Sequence, residues 1–279
     1  MPSPRPTAHR VVVGILLRNF RERAGLTPTQ VAGRFGWYGV GKVSKIEAGS
    51  VHIPEKELEQ LLELYGVAAA DLDKMREFGA EARKRTAAGR SPSWSETYEV
   101  LESRAAEIKA YQESIMHGLV QTEDYARSLL SMSLTTSPAE VGHAVRVRLL
   151  RQQSLTSDAS RNFWFVAAEP VLHRLVGGSS VLRGQLERLR ELTDLPNVTF
   201  QVIPLDRREH VALGTPFTLL RLAIPSFTFA YLEGLTDAYH LDRPPATDIY
   251  SLAFDRLRAV ALDERGSVKL LERRIRELN

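Results

Sequence analysis

The chain has 279 residues, more than the ~100–150 usual for one domain, and its 43% apolar and 25% charged content excludes disordered and low-complexity classes. Cysteine is absent, which excludes disulfide scaffolds, thiolate catalysis, iron–sulfur clusters and cysteine-ligated zinc, and fits a reducing cytoplasm. The net charge of +3 is unevenly spread: residues 1–46 carry +7, residues 47–73 carry −6, residues 74–90 carry +4 and the remainder −2, so a polyanion partner is expected for the first block.

Taken in order, Met1 to about residue 10 is Pro-rich and reads as a flexible arm. Val12, Leu16, Phe20 and Ala24 then recur at helical spacing, ending at Gly25. Thr27 can cap a short second helix, with Pro28 at its first position, Gln30 completing a near capping box, and Val31, Ala32 and Phe35 inward. Gly36 stops it. After Trp37-Tyr38-Gly39 a third helix is predicted over Val40–Ala48, burying Val43 and Ile46 and ended by Gly49. Pro54 opens a fourth, with Glu55 and Glu57 in its first turn and Leu58, Leu61, Leu62 and Tyr65 inward. Asp71 caps a fifth to about Ala88, burying Leu72, Met75, Phe78 and Ala82. These five helices make one all-α domain over residues 11–85, and the small, polar stretch 86–93 reads as a linker.

From Trp94 the pattern changes to a mixed α/β domain over 94–279. Helices are predicted at about 94–114, 121–132, 138–156, 179–193, 246–261 and 264–277, and strands at 162–168, 198–203, 217–223 and 227–233. The last two strands are separated by Ile224-Pro225-Ser226, a hairpin-length gap, so the sheet is expected to be partly antiparallel. The fold class expected is therefore α+β and multidomain. No apolar run approaches the ~18 residues of a membrane helix, no secretory cleavage site follows the first apolar run, and no membrane association is expected.

The run Leu26-Thr27…Gln30-Val31-Ala32, followed by Lys42-Val43-Ser44-Lys45-Ile46-Glu47-Ala48-Gly49, resembles the Cro/repressor-like (XRE) helix-turn-helix family over about residues 11–67. The resemblance implies a dimeric reader of double-stranded operator DNA whose third helix enters the major groove. It implies that Val31, Ala32, Val43 and Ile46 set the angle between the two helices, and that Glu47 pairs with a basic residue of the first helix, Arg18 or Arg21. It places Val40, Gly41, Lys42, Ser44 and Lys45 toward the base edges. Thr27, Thr29, Ser50 and His52 are candidates for phosphate contacts. None of the five groove-facing residues is Arg, Asn or Gln, so bidentate readout is not evident, and phosphate contacts and DNA shape are expected to contribute heavily. The turn from Trp37 to Lys42 is one residue longer than is usual in actinobacterial relatives, and Gly39 and Gly41 are placed to absorb the extra residue.

The second half resembles the domain of unknown function, often described as antitoxin-like, that follows such modules in actinobacterial WhiJ-like regulators. The matching stretches include Glu102–Ile108, Gly118–Ala126, Leu195–Pro204, His210–Phe217, Tyr231–Glu233 and Phe254–Leu257. The resemblance implies a small cognate protein partner of the BldB-like type, or a small-molecule ligand, that modulates operator binding. It equally admits an antitoxin that neutralises such a partner and binds DNA for autoregulation.

His173, His210 and His240, with Glu169, Asp194, Asp206, Glu233 and Asp237, are the acid–base groups of this half, but none falls in a nucleophile, metal or P-loop motif. No catalytic residue, cofactor or metal is expected, and Glu233 is expected to make a buried hydrogen bond or salt bridge, with Arg148 and Arg151 as candidate partners. Phe163, Trp164, Phe165, Phe200, Phe217, Phe227, Phe229 and Tyr231 form either core or a ligand pocket, and Met116–Val120 is a candidate partner groove. The expectation is a cytoplasmic transcriptional regulator, nucleoid-associated when bound to DNA, and not an enzyme.

Overall fold

The computed structural model describes residues 7–83, 94–207, 209–223, 227–235 and 238–278. The predicted linker 86–93, the gap Ile224–Ser226 and Asp237 lie outside them. The first helices are α1 (Ala8–Arg23), α2 (Pro28–Arg34), α3 (Gly41–Glu47), α4 (Glu55–Leu64), α5 (Ala69–Arg83) and α6 (Trp94–Arg104). There follow β1 (Ala105–Gln112), a 3-10 turn at Gly118–Val120, α7 (Glu123–Ser131), α8 (Val141–Gln152), α9 (Ser154–Ser157), β2 (Asn162–Ala168), α10 (Pro170–His173), α11 (Ser179–Leu192) and β3 (Val198–Ile203). Finally come β4 (Phe217–Leu222), β5 (Phe227–Glu233), β6 (Ala238–Leu241), α12 (Ala246–Val260) and α13 (Glu264–Glu277).

Two compact units emerge. One comprises α1–α6 with the first part of β5 and with β6; the other holds most of β1–β4, the end of β5 and α7–α13. The sheet is six-stranded and mixed, in the order β3-β2-β1-β4-β5-β6. β1, β2 and β3 run parallel, with Ile108 opposite Phe163, Phe163 opposite Val198, and Phe165 opposite both Ala110 and Phe200. Phe163, Phe165, Val166 and Ala167 are all buried, the run of apolar residues expected of a strand covered on both faces.

Three sequence expectations change. The helix expected over 94–114 ends at Arg104, and Ala105–Gln112 is strand β1. Its composition (Ala, Glu, Lys, Gln) favours helix, and pairing with β2 overrides that local preference. The short strand β6 has no counterpart in the sequence reading. The expected arm does not reach residue 10, because α1 already begins at Ala8; residues 1–6 lie outside the described residues. Thr7 accepts from the Arg10 N–H and buried Asp242 accepts from the Ala8 N–H at 2.9 Å, which satisfies donors that a helix start leaves open.

The buried face of α1 is also wider than the predicted stripe. Ala8, Val11, Val12, Val13, Leu17 and Phe20 are buried, whereas Leu16 is half-buried and Ala24 exposed, since α1 packs against α3, α4, α5 and α6 at once.

Candidate nucleic-acid interface

α2 starts where local chemistry puts it. Thr27 accepts from the Gln30 N–H while the Gln30 side chain accepts from the Thr27 N–H at 2.8 Å, a complete capping box with Pro28 at the first helical position. Val31, Ala32, Val43 and Ile46 are all buried and form the seam between α2 and α3. The turn between them uses Gly36 and Gly39, whose φ values of +62° and +69° lie in the region open to glycine, and α3 begins at Gly41, with Val40 as its preceding cap.

α3 is then held from behind. Arg21 of α1 donates to Glu47 at 2.5 Å (Nε–Oε1) and 3.0 Å (Nη2–Oε2), and to the Leu26 carbonyl at 2.8 Å. The two side chains are 8% and 12% exposed. The hydrogen bond to Glu47 is the main influence raising the Arg21 pKa, and neighbouring buried Tyr65 has its own pKa pushed up by burial and by Glu47. Arg18, the other candidate for Glu47, pairs instead with Glu22, four residues on. α1 and α3 also meet at van der Waals limits: a Cβ on Gly14 would stand 2.5 Å from the Glu47 carbonyl oxygen.

With Val43 and Ile46 buried, the opposite face of α3 is free. Val40, Gly41, Ser44 and Lys45 are exposed together along it. Lys42 departs from this set. Its Nζ donates to Glu57 of α4 at 2.6 Å and lies 4.3 Å from the centre of the Trp37 ring. Trp37 in turn lies against Phe35, the ring centres 4.6 Å apart and the planes tilted by 33°. Among the residues placed toward phosphates, Thr29 and His52 are exposed and Ser50 half-buried, whereas the Thr27 hydroxyl is spent on the capping box, donating to Gln30.

Sequence reading missed two residues here. By its sequence position Glu57 is an acid of the first turn of α4 that complements the helix dipole, and nothing local shows that it reaches α3. Tyr38 stands fully in solvent, at 107% of its reference exposure, in the turn before α3. The signal available was a second large aromatic beside Trp37, set between Gly36 and Gly39 in a turn.

A family model described as Helix-turn-helix domain matches residues 12–75, and one described as Domain of unknown function (DUF5753) matches residues 95–273. The chain belongs to the DUF5753 family. No curated protein and no solved structure matches it.

Within the DUF5753 match the acid–base groups are scattered rather than convergent. Glu169 accepts from the Leu205 N–H at 2.8 Å and lies 3.4 Å from His173 and 3.8 Å from Arg273. His210 is 3.1 Å from the hydroxyl of buried Tyr111, which donates to Glu113 at 2.8 Å; Glu113 also accepts from the Gly214 N–H. His240 belongs to the other unit, beside His9. Asp194 pairs with Arg190, and Asp206 is exposed. Among the described residues no group of three His, Asp or Glu is placed to hold a metal.

Glu233 ends β5 exposed rather than buried; desolvation raises its pKa, against the opposing pull of Arg148, a hydrogen bond with Tyr231 and the pull of Arg151. Six of the eight aromatics are buried and Trp164 and Phe227 half-buried; Trp164 donates to Gln201 at 2.9 Å and lies edge-on to Phe254, as core residues do. Met116, His117, Leu119 and Val120 are buried, which overturns the partner-groove expectation: their apolar surface is already covered, with His117 against Phe165. Among the described residues no helix is long and apolar enough to cross a membrane.

Proposed function

We propose that the chain is a DNA-binding transcriptional regulator that binds operator DNA as a homodimer in the cytoplasm, as its resemblance to Cro/repressor-like and WhiJ-like regulators implies. One observation carries this reading: α3 buries Val43 and Ile46, is clamped at its end by Arg21 and Glu47, and leaves Val40, Gly41, Ser44 and Lys45 exposed on one continuous face. A rigid helix with a free face behind a basic N-terminal block is what major-groove docking requires. Two such helices are needed because one short helix spans few base pairs.

The DUF5753 half, on this proposal, acts by binding a small protein partner or a small ligand rather than by catalysis. The scatter of His173, His210 and His240 supports that reading. A salt-dependent titration of the protein's own upstream DNA, with and without the product of the neighbouring gene, tests both parts. Tighter binding to upstream than to random duplex, altered by the partner, is expected. Equal affinity for both duplexes overturns operator recognition. Capture of the neighbouring product with no change in DNA binding favours the antitoxin role.

A further inference from the structure

We propose that Tyr38 and Val40 form an apolar prong that reads the 5-methyl groups of thymines in the major groove, which makes operator recognition by this chain chiefly methyl and shape readout. The inference rests on the DNA-binding reading above and concerns which chemistry of the groove the chain recognises.

Four features converge on it. First, Tyr38 is fully exposed and Val40 is 41% exposed, although Val31, Ala32, Val43 and Ile46 beside them are almost completely covered. Both side chains are thus left in water in the turn that leads into the free face of α3. Second, the positions on both sides of Val40 carry no side chain: a Cβ on Gly39 or on Gly41 would meet no atom within 4 Å. The bare backbone there lets the groove edge come close to Tyr38 and Val40. Third, the cation that the helix could have offered at this end is withdrawn, because Lys42 is held by Glu57 and the Trp37 ring. Ser44 and Lys45 remain as the polar groups of the face, further along the helix. Fourth, the thymine methyl is the apolar feature that the major groove displays, and it separates A·T from G·C pairs and T·A from A·T without any hydrogen bond.

The test uses the full-length chain and synthetic duplexes carrying its upstream binding site, with each thymine replaced in turn by deoxyuridine. That change deletes the methyl and leaves pairing and hydrogen-bonding atoms in place. At least one thymine per half-site is expected to weaken binding about fourfold on replacement, the equivalent of ~0.8 kcal/mol for a buried methylene-sized group. The penalty should vanish in Tyr38→Ala or Val40→Ala. It should persist in Lys45→Ala, which lowers affinity for all duplexes alike. Both apolar residues are exposed, so the variants should melt with the parent. Equal affinity of the parent for every deoxyuridine duplex overturns the proposal, as does a penalty that survives in both alanine variants. Failure of the parent to prefer the upstream site over random duplex is a separate result, which removes the operator reading and this inference with it.

Discussion

Arg21 and Glu47 join the first and third helices through two hydrogen-bonded ion contacts, 2.5 Å and 3.0 Å long, in a site where neither side chain is more than 12% exposed. The same guanidinium holds the Leu26 carbonyl, so one residue ties together α1, the turn into α2 and the end of α3. With the Glu47 charge lost, the buried guanidinium keeps only the half-exposed Glu22 carboxylate 3.6 Å away, and Glu47→Gln should cost roughly 3 kcal/mol of folding free energy in urea denaturation. Arg18→Ala, which removes an exposed i,i+4 pair, should change stability by less than ~0.5 kcal/mol. Equal losses in the two variants would remove the clamp from the account.

The Lys42–Glu57 pair bears on DNA binding rather than on stability, since its side chains are 40% and 26% exposed. While Glu57 holds the ammonium, Lys42→Ala should leave the slope of log affinity against log salt unchanged. Glu57→Gln should release the lysine and steepen that slope by about one phosphate contact, close to 0.9. A slope already shallower in Lys42→Ala would show that the lysine contacts DNA in the parent.

Glycines of similar appearance should respond in opposite directions. In Gly14→Ala the new methyl meets the backbone of Ile46 and Glu47 at 2.5–2.8 Å, so α1 and α3 must move apart, at a cost of about 1–3 kcal/mol. Gly33→Ala, exposed within α2 with open space around it, should stabilise by up to ~1 kcal/mol through helix propensity. Thermal melts of the two variants check both signs.

Acid should weaken the first unit through His240. Burial, and then the neighbouring His9, push its pKa down to about 3, against ~6.5 in an unfolded chain. The folded state therefore stays neutral while the unfolded state takes up a proton. The penalty is absent above pH 6.5, grows as pH falls, and levels off near pH 3, with a slope approaching ~1.4 kcal/mol per pH unit between. Asp242, which receives the Ala8 N–H and faces Arg10 and Arg243, has its pKa raised by burial and so opposes this below its own folded pKa. Urea unfolding across pH 4–7 should show the decline in the parent and a flatter profile in His240→Gln; identical profiles would exclude His240 as its source.

In the DUF5753 half, Glu113 fastens the loop before β4 to the end of β1, since it accepts from both Tyr111 and Gly214. Glu113→Ala should raise amide hydrogen exchange across residues 209–216 at least tenfold and leave β2 and β3 unchanged, because the substitution opens the loop without touching the sheet. Unchanged exchange would mean that the loop is held elsewhere.

Spacing and end chemistry alone determined that five helices open the chain and that Val31, Ala32, Val43 and Ile46 face inward, while their role as the seam between α2 and α3 came from the family resemblance. Apolar residues three and four apart, and caps such as Thr27 with Gln30, act between positions close in sequence, so their physics is legible there. The choice of Glu47 as the acid of a structural pair came from the family resemblance, and the structure selected Arg21 over Arg18 by burial. β1 escaped because Ala105–Gln112 has no strand bias of its own and becomes a strand by pairing with residues more than fifty positions away. Lys42 shows the same limit at the candidate interface. Its sequence position marks it as groove-facing, but its charge is directed by Glu57, fifteen residues on and carried on another helix. Which side chains are left free to meet a partner depends on where distant elements pack, and only the tertiary structure decided that the Lys42 ammonium would be held by Glu57 while Tyr38 would stand fully in water.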